Sequence, residues 1–224
     1  MASSSLHQSH PTPVHGDASS VALRPASPAI AQVAARLLYL TMRPLTEYWL
    51  GVDNAAAAHA ALSRLFASRG NLFSFEFAEY AELQGNVAGL LLAYPAPIMK
   101  ALELPTVLQY FRAAGIRVGL RMLWRSFPLQ SIAQAAPDEY FLAHIAVLPE
   151  FEGRGLGQRL LVRVQERATQ AGFKRITLTV DTENDRALSL YTRAGFRVSA
   201  TIDVKPLRRR FQYHGYYHMA KDLA

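Results

Sequence analysis

The sequence contains no cysteine, and this absence removes several kinds of chemistry at once. Disulfide bonds, thiolate nucleophiles and metal sites built on cysteine are all excluded. For the same reason, the cysteine content gives no information about the redox conditions of the compartment in which the protein works. The absence narrows the possible functions without choosing among those that remain.

Acidic residues and long apolar runs are also scarce. The 224 residues include 17 Asp and Glu against 24 Lys and Arg, which gives a formal charge of +7. This balance favours anionic partners such as phosphorylated cofactors, nucleic acid or acidic membrane surfaces. No apolar run approaches the roughly 20 residues that span a bilayer, and the start of the chain lacks the basic-then-apolar order of a signal peptide. We therefore expect a soluble, cytoplasmic protein with no membrane partner.

Composition divides the chain into a polar tail and one folded domain. Residues 1–27 are rich in Ser, Pro and His and poor in large apolar residues, so we expect a disordered tail. Residues 28–224 are long enough to bury a single core, with a helical insertion at about residues 95–137 where prolines punctuate short helical pieces. In that insertion Arg117, Arg121 and Arg125 share one helix face, which is either a solvated face or a wall that attracts anions.

Apolar periodicity predicts the order of helices and strands on either side of the insertion. Helical spacing covers residues 28–51 and 55–68, with Pro44 expected to end or kink the first helix, and alternation predicts a hairpin of strands at 72–83 and 87–94. After the insertion the pattern predicts a strand, a helix, a strand, a helix and two strands, at 138–147, 156–171, 175–181, 184–194, 196–204 and 211–220. The fold class is therefore α/β (α+β) with a mixed sheet.

A glycine-rich turn lies between a predicted strand and a predicted helix. Gly153, Gly155 and Gly157 leave the backbone open to close approach, and the helix N-terminus supplies unpaired N–H groups with about half a positive charge. Such a turn can cradle phosphate oxygens, and Arg154 and Arg159 add positive charge nearby. A nucleotide-hydrolase phosphate loop fails because Gln-Arg follows the last glycine instead of Lys-Ser/Thr. A dinucleotide fingerprint fails because its third glycine is missing.

Two linked motifs resemble the GNAT superfamily of acyl-CoA-dependent N-acyltransferases. The first is Ile145-Ala146-Val147-x-Pro149 followed by Glu152-x-x-Gly155-x-Gly157, and the second is Asn184-x-x-Ala187-x-x-x-Tyr191-x-x-x-Gly195-Phe196. Their order, their spacing and the predicted strand between them match that family over residues 140–200. The resemblance is only architectural before that segment. It implies a GNAT-like mixed, mostly antiparallel central sheet flanked by helices.

The resemblance also implies acetyl-CoA as the co-substrate, an amine-bearing acceptor and no metal. The strand before the turn would pair with the pantetheine arm through its backbone, the N–H groups of the turn would hold the pyrophosphate, and Asn184 would contact the pantetheine. Tyr191 would protonate the departing thiolate. The coenzyme-binding residues implied in this way are Ile145, Ala146, Val147, Gly153, Arg154, Gly155, Leu156, Gly157, Gln158, Asn184 and Tyr191.

Glu152 departs from the family pattern, which usually has Gln or Arg at this position. A carboxylate beside a pyrophosphate is unfavourable when its side chain points inward. The backbone cradle does not depend on that side chain. We therefore expect Glu152 to point to solvent and the affinity for the coenzyme to be somewhat weakened.

Tyr191 and Glu139 are the predicted catalytic residues. A tyrosine with a pKa near ~10 can supply a proton to a thiolate at neutral pH. Strict alternation along the strand before the turn puts Glu139 on the face of Val147, where it would act as a base through water. The same alternation puts His144 on the opposite face, and we expect it to be a packed or hydrogen-bonded residue. Ordered water without a protein base is also open, as are four other carboxylates: Asp181, Glu183, Glu76 and Glu79.

Two other functions are compatible with the sequence. A non-catalytic acyl-CoA-binding module would share the glycine turn but would release no thiol with any amine. A nucleic-acid binder is suggested by the three arginines at 208–210 beside the aromatic residues at 211–217. Alternation explains those aromatics as a terminal strand without any ligand. We therefore expect no specific nucleic-acid partner, and both a monomer and a homodimer remain open.

Overall fold

A seven-stranded sheet with helices on both faces forms the centre of the structure, a computed structural model that describes residues 21–50, 55–126, 132, 135–204 and 215–223. The strands are β1 (Val21–Pro25), β2 (Ala78–Leu83), β3 (Asn86–Pro95), β4 (Tyr140–Val147), β5 (Arg175–Asp181), β6 (Arg197–Ile202) and β7 (Tyr216–Asp222). The helices are α1 (Ala31–Leu50), α2 (Ala55–Ala67), α3 (Ala96–Ala114), α4 (Ile116–Ser126), α5 (Leu156–Gln170) and α6 (Asp185–Arg193).

The strands lie in the order β1-β2-β3-β4-β5-β7-β6. Every neighbouring pair is antiparallel except β4 and β5, which are parallel. A parallel pair needs a crossover connection, and α5 lies in that connection. The prediction of a mixed, mostly antiparallel sheet flanked by helices is confirmed. No helix within the described ranges is long and apolar enough to cross a membrane.

Helix α5 covers one face of the sheet because its apolar residues recur at helical spacing. Its polar side also contributes, since Arg163 lies 2.6 Å from a carboxylate oxygen of Glu79 on β2 and Arg167 lies 3.5 Å from the other oxygen. These ion pairs fix the helix across the strands that it covers. The residues of α5 that are buried against the sheet are Leu156, Leu160, Leu161, Val164 and Ala168.

Helices α1 and α2 cover the opposite face, where Leu37 and Phe66 are fully buried. Pro44 kinks α1, as predicted, and the backbone at Met42 leaves helical geometry with φ −129° and ψ 23°. Proline produces such a kink because it lacks an amide hydrogen and crowds the carbonyl four residues earlier. The hydroxyl of Thr46 donates a hydrogen bond of 2.9 Å to the Met42 carbonyl, which satisfies a backbone acceptor at the kink.

The expectation of a disordered tail through residue 27 is wrong for residues 21–25. These residues form the edge strand β1, which pairs antiparallel with β2. Val21 and Leu23 alternate along β1 and pack against the core cluster beneath α5. Two apolar side chains on one face of a strand thus outweigh the polar composition around them. Residues 1–20 lie outside the described residues.

The strand predicted at 72–83 begins only at Ala78. Before that point the hydroxyl of Ser74 accepts a hydrogen bond of 3.2 Å from the backbone N–H of Glu76. This local bond replaces a bond of the strand ladder, and residues Phe75–Phe77 form a single 3-10 turn. Phe73 before the turn and Phe75 and Phe77 within it all pack against the core, so their alternation reflects burial and not a strand.

Where it is described, the predicted insertion consists of two helices, α3 with 19 residues and α4 with 11, and not of several short helical pieces. Pro105 lies inside α3 without ending it. Gly115 ends α3 with φ 87°, a left-handed conformation that favours glycine. The insertion is therefore a helical hairpin between β3 and β4.

Candidate active site

The sheet opens in the middle of β4, and the opening forms a cavity. Strands β4 and β5 pair only from Tyr140 to Leu142 of β4, whereas β4 stays paired with β3 as far as Val147. Beyond Leu142 the edge of β4 that faces β5 is therefore open, and its backbone N–H and C=O groups can bind a ligand. The cavity has a volume of about 500 Å³ and is lined by α1, β4, the glycine turn, α5 and α6.

The glycine turn meets this cavity at the N-terminus of α5. Gly153 and Gly155 have φ values of 76° and 74°, in the left-handed region that glycine enters without strain. Gly155 is the N-cap of α5 and supplies no side-chain hydrogen bond to it. The first N–H groups of α5 and the positive end of its dipole therefore remain available to an anion. Of the predicted pyrophosphate-binding residues, those that line the cavity are Gly153, Gly155, Leu156, Gly157 and Gln158.

The charged residues of the turn are engaged with protein groups. The guanidinium of Arg154 lies 5.7 Å from the centre of the Phe151 ring, and Arg154 is not among the residues that line the cavity. Glu152 does line the cavity and forms an ion pair with Arg186 of α6. The Glu152 side chain is 41% exposed, yet the ion pair turns it toward α6 instead of directly out to solvent. The guanidinium of Arg186 therefore partly offsets the negative charge of Glu152 at the edge of the cavity.

Helix α6 brings Asn184 and Tyr191 to the cavity. The side-chain oxygen of Asn184 accepts a hydrogen bond of 3.0 Å from the N–H of Ala187, so it caps α6 and fixes the start of the helix. Tyr191 is buried, and its ring centre lies 5.8 Å from that of Phe196. Burial raises the pKa of Tyr191 above its usual value, so the phenol is protonated at neutral pH.

A β-bulge in β4 breaks the strict alternation that the sequence suggests. Leu92 of β3 pairs with His144, whereas the next residue of β3 pairs with Leu142, so Ala143 is an extra residue in β4. The bulge shifts the alternation by one position. Val147 consequently shares its face with Leu142, under α5, while Ala143 packs on the opposite face.

Glu139 lies outside the cavity. The alternation that was expected to put it on the face of Val147 does not continue through the bulge. Its carboxylate instead accepts a hydrogen bond of 2.8 Å from the N–H of Ala136 and lies 3.5 Å from the guanidinium of Arg175. The structure thus does not bring Glu139 to the site, and a role as the base has no geometric support.

His144 lies on the α1 side of the sheet as a hydrogen-bonded, packed residue, which confirms the prediction for it. Its Nδ1 is 2.9 Å from the hydroxyl of Thr41, and its ring stacks on that of Phe73 with 5.9 Å between centres. The Thr41 hydroxyl donates to the carbonyl of Leu38 at 2.8 Å, so Nδ1–H of the histidine is the donor to Thr41. Burial lowers the pKa of His144 to about 4, and the ring is neutral at pH 7.

Two residues of α1, Leu40 and Thr41, line the cavity although the sequence did not point to them. They directly precede the kink at Met42. Pro44 signals a bend in this helix, but no local pattern shows that the bend faces the glycine turn.

The other carboxylates proposed as bases also lie elsewhere. Glu76 accepts a hydrogen bond of 2.8 Å from the N–H of Gly70, which lowers the pKa of Glu76, and Glu79 is paired with Arg163. Within the described ranges no group of His, Asp or Glu side chains has the arrangement of a metal site. The proposed carboxylates that do not line the cavity are Asp181, Glu183, Glu76 and Glu79.

Comparison of the chain with known protein families and with curated proteins finds acetyltransferases in both cases. Residues 43–196 match the model of the Acetyltransferase (GNAT) family, which is more than half of the chain. The chain is 36% identical over 86 residues to the N-alpha-acetyltransferase RimI of Mycobacterium tuberculosis, covering 38% of this chain and 49% of that protein. It is 39% identical over 72 residues to the ribosomal protein bS18-alanine N-acetyltransferase of Salmonella typhimurium, covering 32% of this chain and 48% of that protein. The chain thus spans about half the length of the curated relatives it matches.

Solved structures show the same fold over nearly the whole chain. An N-acetyltransferase from Staphylococcus aureus Mu50 superposes with a TM-score of 0.66 at 22% identity, covering 89% of this chain and 100% of that one. Another acetyltransferase structure gives a TM-score of 0.64 at 24% identity, covering 91% and 100%. At this level of identity the likeness concerns the fold.

Proposed function

The chain belongs to the GNAT acetyltransferase family, and from that premise we propose that it transfers an acetyl group from acetyl-CoA to a primary amine. The observation that carries the proposal is the cavity between the open edge of β4 and the N-terminus of α5. An open strand edge can take an extended amide chain, and a helix N-terminus can take phosphate. These are the two chemical parts that coenzyme A presents.

We assign the coenzyme to the cavity in an orientation that follows from those parts. The pantetheine amides add to the open edge of residues 145–147, and the pyrophosphate lies at the turn of Gly153 and Gly155. Asn184 contacts the pantetheine in addition to capping α6. Arg154 attracts the phosphates only from a distance, because its guanidinium lies over the Phe151 ring.

The reaction forms one bond and breaks one at the thioester carbon. The amine nitrogen attacks the carbonyl carbon, the carbon–sulfur bond breaks, and the sulfur takes up a proton. We propose that Tyr191 donates this proton, since it lines the cavity and burial keeps its phenol protonated. The proton lost by the amine leaves through water, because Glu152, the carboxylate that lines the described part of the cavity, is paired with Arg186.

Without a dedicated base, the pKa of the amine decides how much of the acceptor is neutral and reactive. An α-amine has a pKa of ~7.7–8.0, whereas a lysine amine has a pKa of ~10.4. At pH 7.5 roughly a third of an α-amine is neutral, against about a thousandth of a lysine amine. The Salmonella relative is named for an alanine of a ribosomal protein, which supports the α-amine of a peptide or protein as the acceptor here.

Calorimetry with acetyl-CoA and a thiol-release assay with peptides test the proposal. We expect acetyl-CoA to bind, and a peptide with a free N-terminus to release thiol at a rate that rises up to about pH 8. An N-terminally blocked peptide that contains lysine is the matched control and should react far more slowly at pH 7.5.

Three outcomes would change the assignment. Failure to bind acetyl-CoA would contradict the coenzyme site. Binding without thiol release from any amine would identify a non-catalytic acyl-CoA-binding module. A rate that levels off below pH 7, at the same pH for both acceptors, would show that a protein group acts as the base.

We further propose that residues 28–224, together with β1, work as one acetyltransferase domain. In support, β1 extends the same sheet that carries the cavity, and α1 packs on both β3 and β4. The α3–α4 hairpin is then an insertion into this domain between β3 and β4.

A further inference from the structure

The helical insertion presents large apolar side chains to solvent. On α4 the exposed fractions are 70% for Ile116, 57% for Leu120, 51% for Leu123 and 85% for Trp124. Residues at these spacings lie on one side of a helix and form a stripe along it. A tryptophan and three aliphatic residues on one side of a short helix are a costly surface to leave in water.

The opposite side of α4 is already packed against the rest of the fold. Gly119 lies against Phe111 of α3, where an added Cβ would come within 2.5 Å of the ring, and Met122 is buried. Arg125 donates a hydrogen bond to the carbonyl of Tyr48. Helix α4 is therefore anchored through this side, and the exposed stripe is not needed to hold it in place.

Helix α3 adds to the apolar surface with Leu104 and Leu108, which are four residues apart and exposed. Single exposed apolar residues are common and need no explanation. Four large ones in one stripe along α4, with two more on the helix joined to it, make up an apolar surface of the kind that marks an interaction site. We call this patch the hairpin patch, and its residues are Leu104, Leu108, Ile116, Leu120, Leu123 and Trp124.

Basic residues border the hairpin patch. Helix α4 contains Arg117, Arg121 and Arg125 and no acidic residue. The two helices together hold five basic residues against one acidic residue, Glu103. Arg117 and Arg121 are exposed, and each directly follows a residue of the patch. An apolar side with tryptophan and leucine beside an arginine side is the pattern of helices that lie in the interface of an anionic membrane.

Charge and composition argue against two other occupants of the patch. In a two-fold dimer the same surface of each copy meets the other, so two arginine-bordered helices would bring like charges together. The segment at residues 1–20 has few large apolar side chains with which to cover the patch, namely Met1, Leu6 and Val14. An anionic surface instead complements both the arginines and the formal charge of +7.

We propose that the α3–α4 hairpin docks the hairpin patch onto an anionic membrane surface. Trp124 and the leucines enter the headgroup region, and Arg117 and Arg121 lie against acidic headgroups. This mode of binding needs no helix that spans the bilayer. The expectation of no membrane partner rested on the lack of a spanning segment, and this proposal departs from it.

Flotation of the full chain with phosphatidylcholine vesicles that contain phosphatidylglycerol tests the proposal. We expect binding that weakens as salt is added, and binding about tenfold weaker to vesicles of phosphatidylcholine alone. The emission of Trp124 should shift to shorter wavelength on binding, because its indole leaves water. The second tryptophan, Trp49, already has a buried indole nitrogen and should contribute little to the shift.

The double variant Leu120→Ser/Leu123→Ser should bind anionic vesicles about tenfold more weakly with an unchanged Tm, since both side chains are exposed in the folded chain. Val198→Ser on β6 is the matched control, because Val198 is 51% exposed as well, and it should bind like the wild type. No binding of the wild type to anionic vesicles, or equal binding by the double variant, would overturn the proposal. A concentration-dependent dimer that the double variant abolishes would overturn it in favour of a second copy.

Discussion

Helix α5 has a left-handed glycine at each end, which allows a matched test of the coenzyme site. Gly155 at the start has φ 74°, and Gly172 beyond the end has φ 81°. A Cβ added at either position meets nothing within 4 Å, so each change to alanine costs conformational strain of roughly 1–2 kcal/mol and no clash. A chain of this length loses about 2–4 °C in Tm for each kcal/mol, so both variants should melt several degrees lower.

Only Gly155→Ala should also weaken the binding of acetyl-CoA. Gly155 lines the cavity and is the N-cap of α5, so a methyl group there adds bulk next to the first N–H groups of the helix. A hydrogen bond to a charged group contributes about 1.5–3 kcal/mol, so the loss of one phosphate contact should raise Kd roughly tenfold to hundredfold. Gly172 lies about 25 Å away along the helix at ~1.5 Å per residue, so Gly172→Ala should leave Kd unchanged.

Differential scanning fluorimetry gives the Tm of each variant, and titration calorimetry gives the Kd for acetyl-CoA. An unchanged Kd for Gly155→Ala would refute the assignment of the pyrophosphate to this turn. Equal weakening by both variants would show that general loosening of α5 sets the affinity. A large loss of Tm for Gly155→Ala alone would mean that the turn has a structural role beyond its backbone conformation.

Three further predictions concern single side chains. Glu152→Gln removes a carboxylate beside the proposed phosphate site and releases Arg186, so calorimetry should show acetyl-CoA binding roughly threefold tighter at low salt. Glu150→Gln loses only a surface ion pair and should leave the affinity for acetyl-CoA unchanged. Tyr191→Phe should lower kcat for thiol release by about 10²–10³ with Kd unchanged, and an unaltered kcat would exclude it as the acid. Burial lowers the pKa of His144 from 6.5 to about 4, so between these pH values the unfolded chain binds a proton that the native chain does not. Stability should therefore fall by about 2 kcal/mol from pH 7 to pH 5 in urea unfolding, and His144→Asn should lack this part of the loss.

From α1 onward, the order of the helices and strands could be predicted from the sequence because apolar periodicity indicates which side chains are buried. The bounds predicted for β5 are those observed, and α5 ends one residue before its predicted end. The position of the glycine turn before α5 could also be predicted, since the turn and the helix are adjacent in the chain. Each of these signals is local to the element that it describes.

The features that escaped prediction depend on partners that are distant in the chain. Ala143 is an extra residue only because its neighbours Leu142 and His144 pair with adjacent residues of β3. The sequence of β4 alone predicts an uninterrupted strand. The bulge decides which side chains of β4 face α5, whereas the prediction for Glu139 assumed a strand without a bulge. Thr41 and His144 are hydrogen-bonded across 103 positions, so the contribution of α1 to the cavity had no local signal.

The bulge also accounts for the shortage of bases in the described part of the cavity. On the side covered by α5, β4 presents the apolar residues Ile145 and Val147. The imidazole of His144 lies on the other side, where Thr41 takes its Nδ1–H and burial keeps it neutral. In the proposed reaction, the groups left to act on the thioester would be backbone amides and the phenol of Tyr191, which can stabilise an oxyanion and protonate sulfur but do not take a proton from an amine. We therefore expect a site of this kind to select its acceptor first by the pKa of the amine, so that α-amines react in preference to lysines before any other part of the acceptor is recognised.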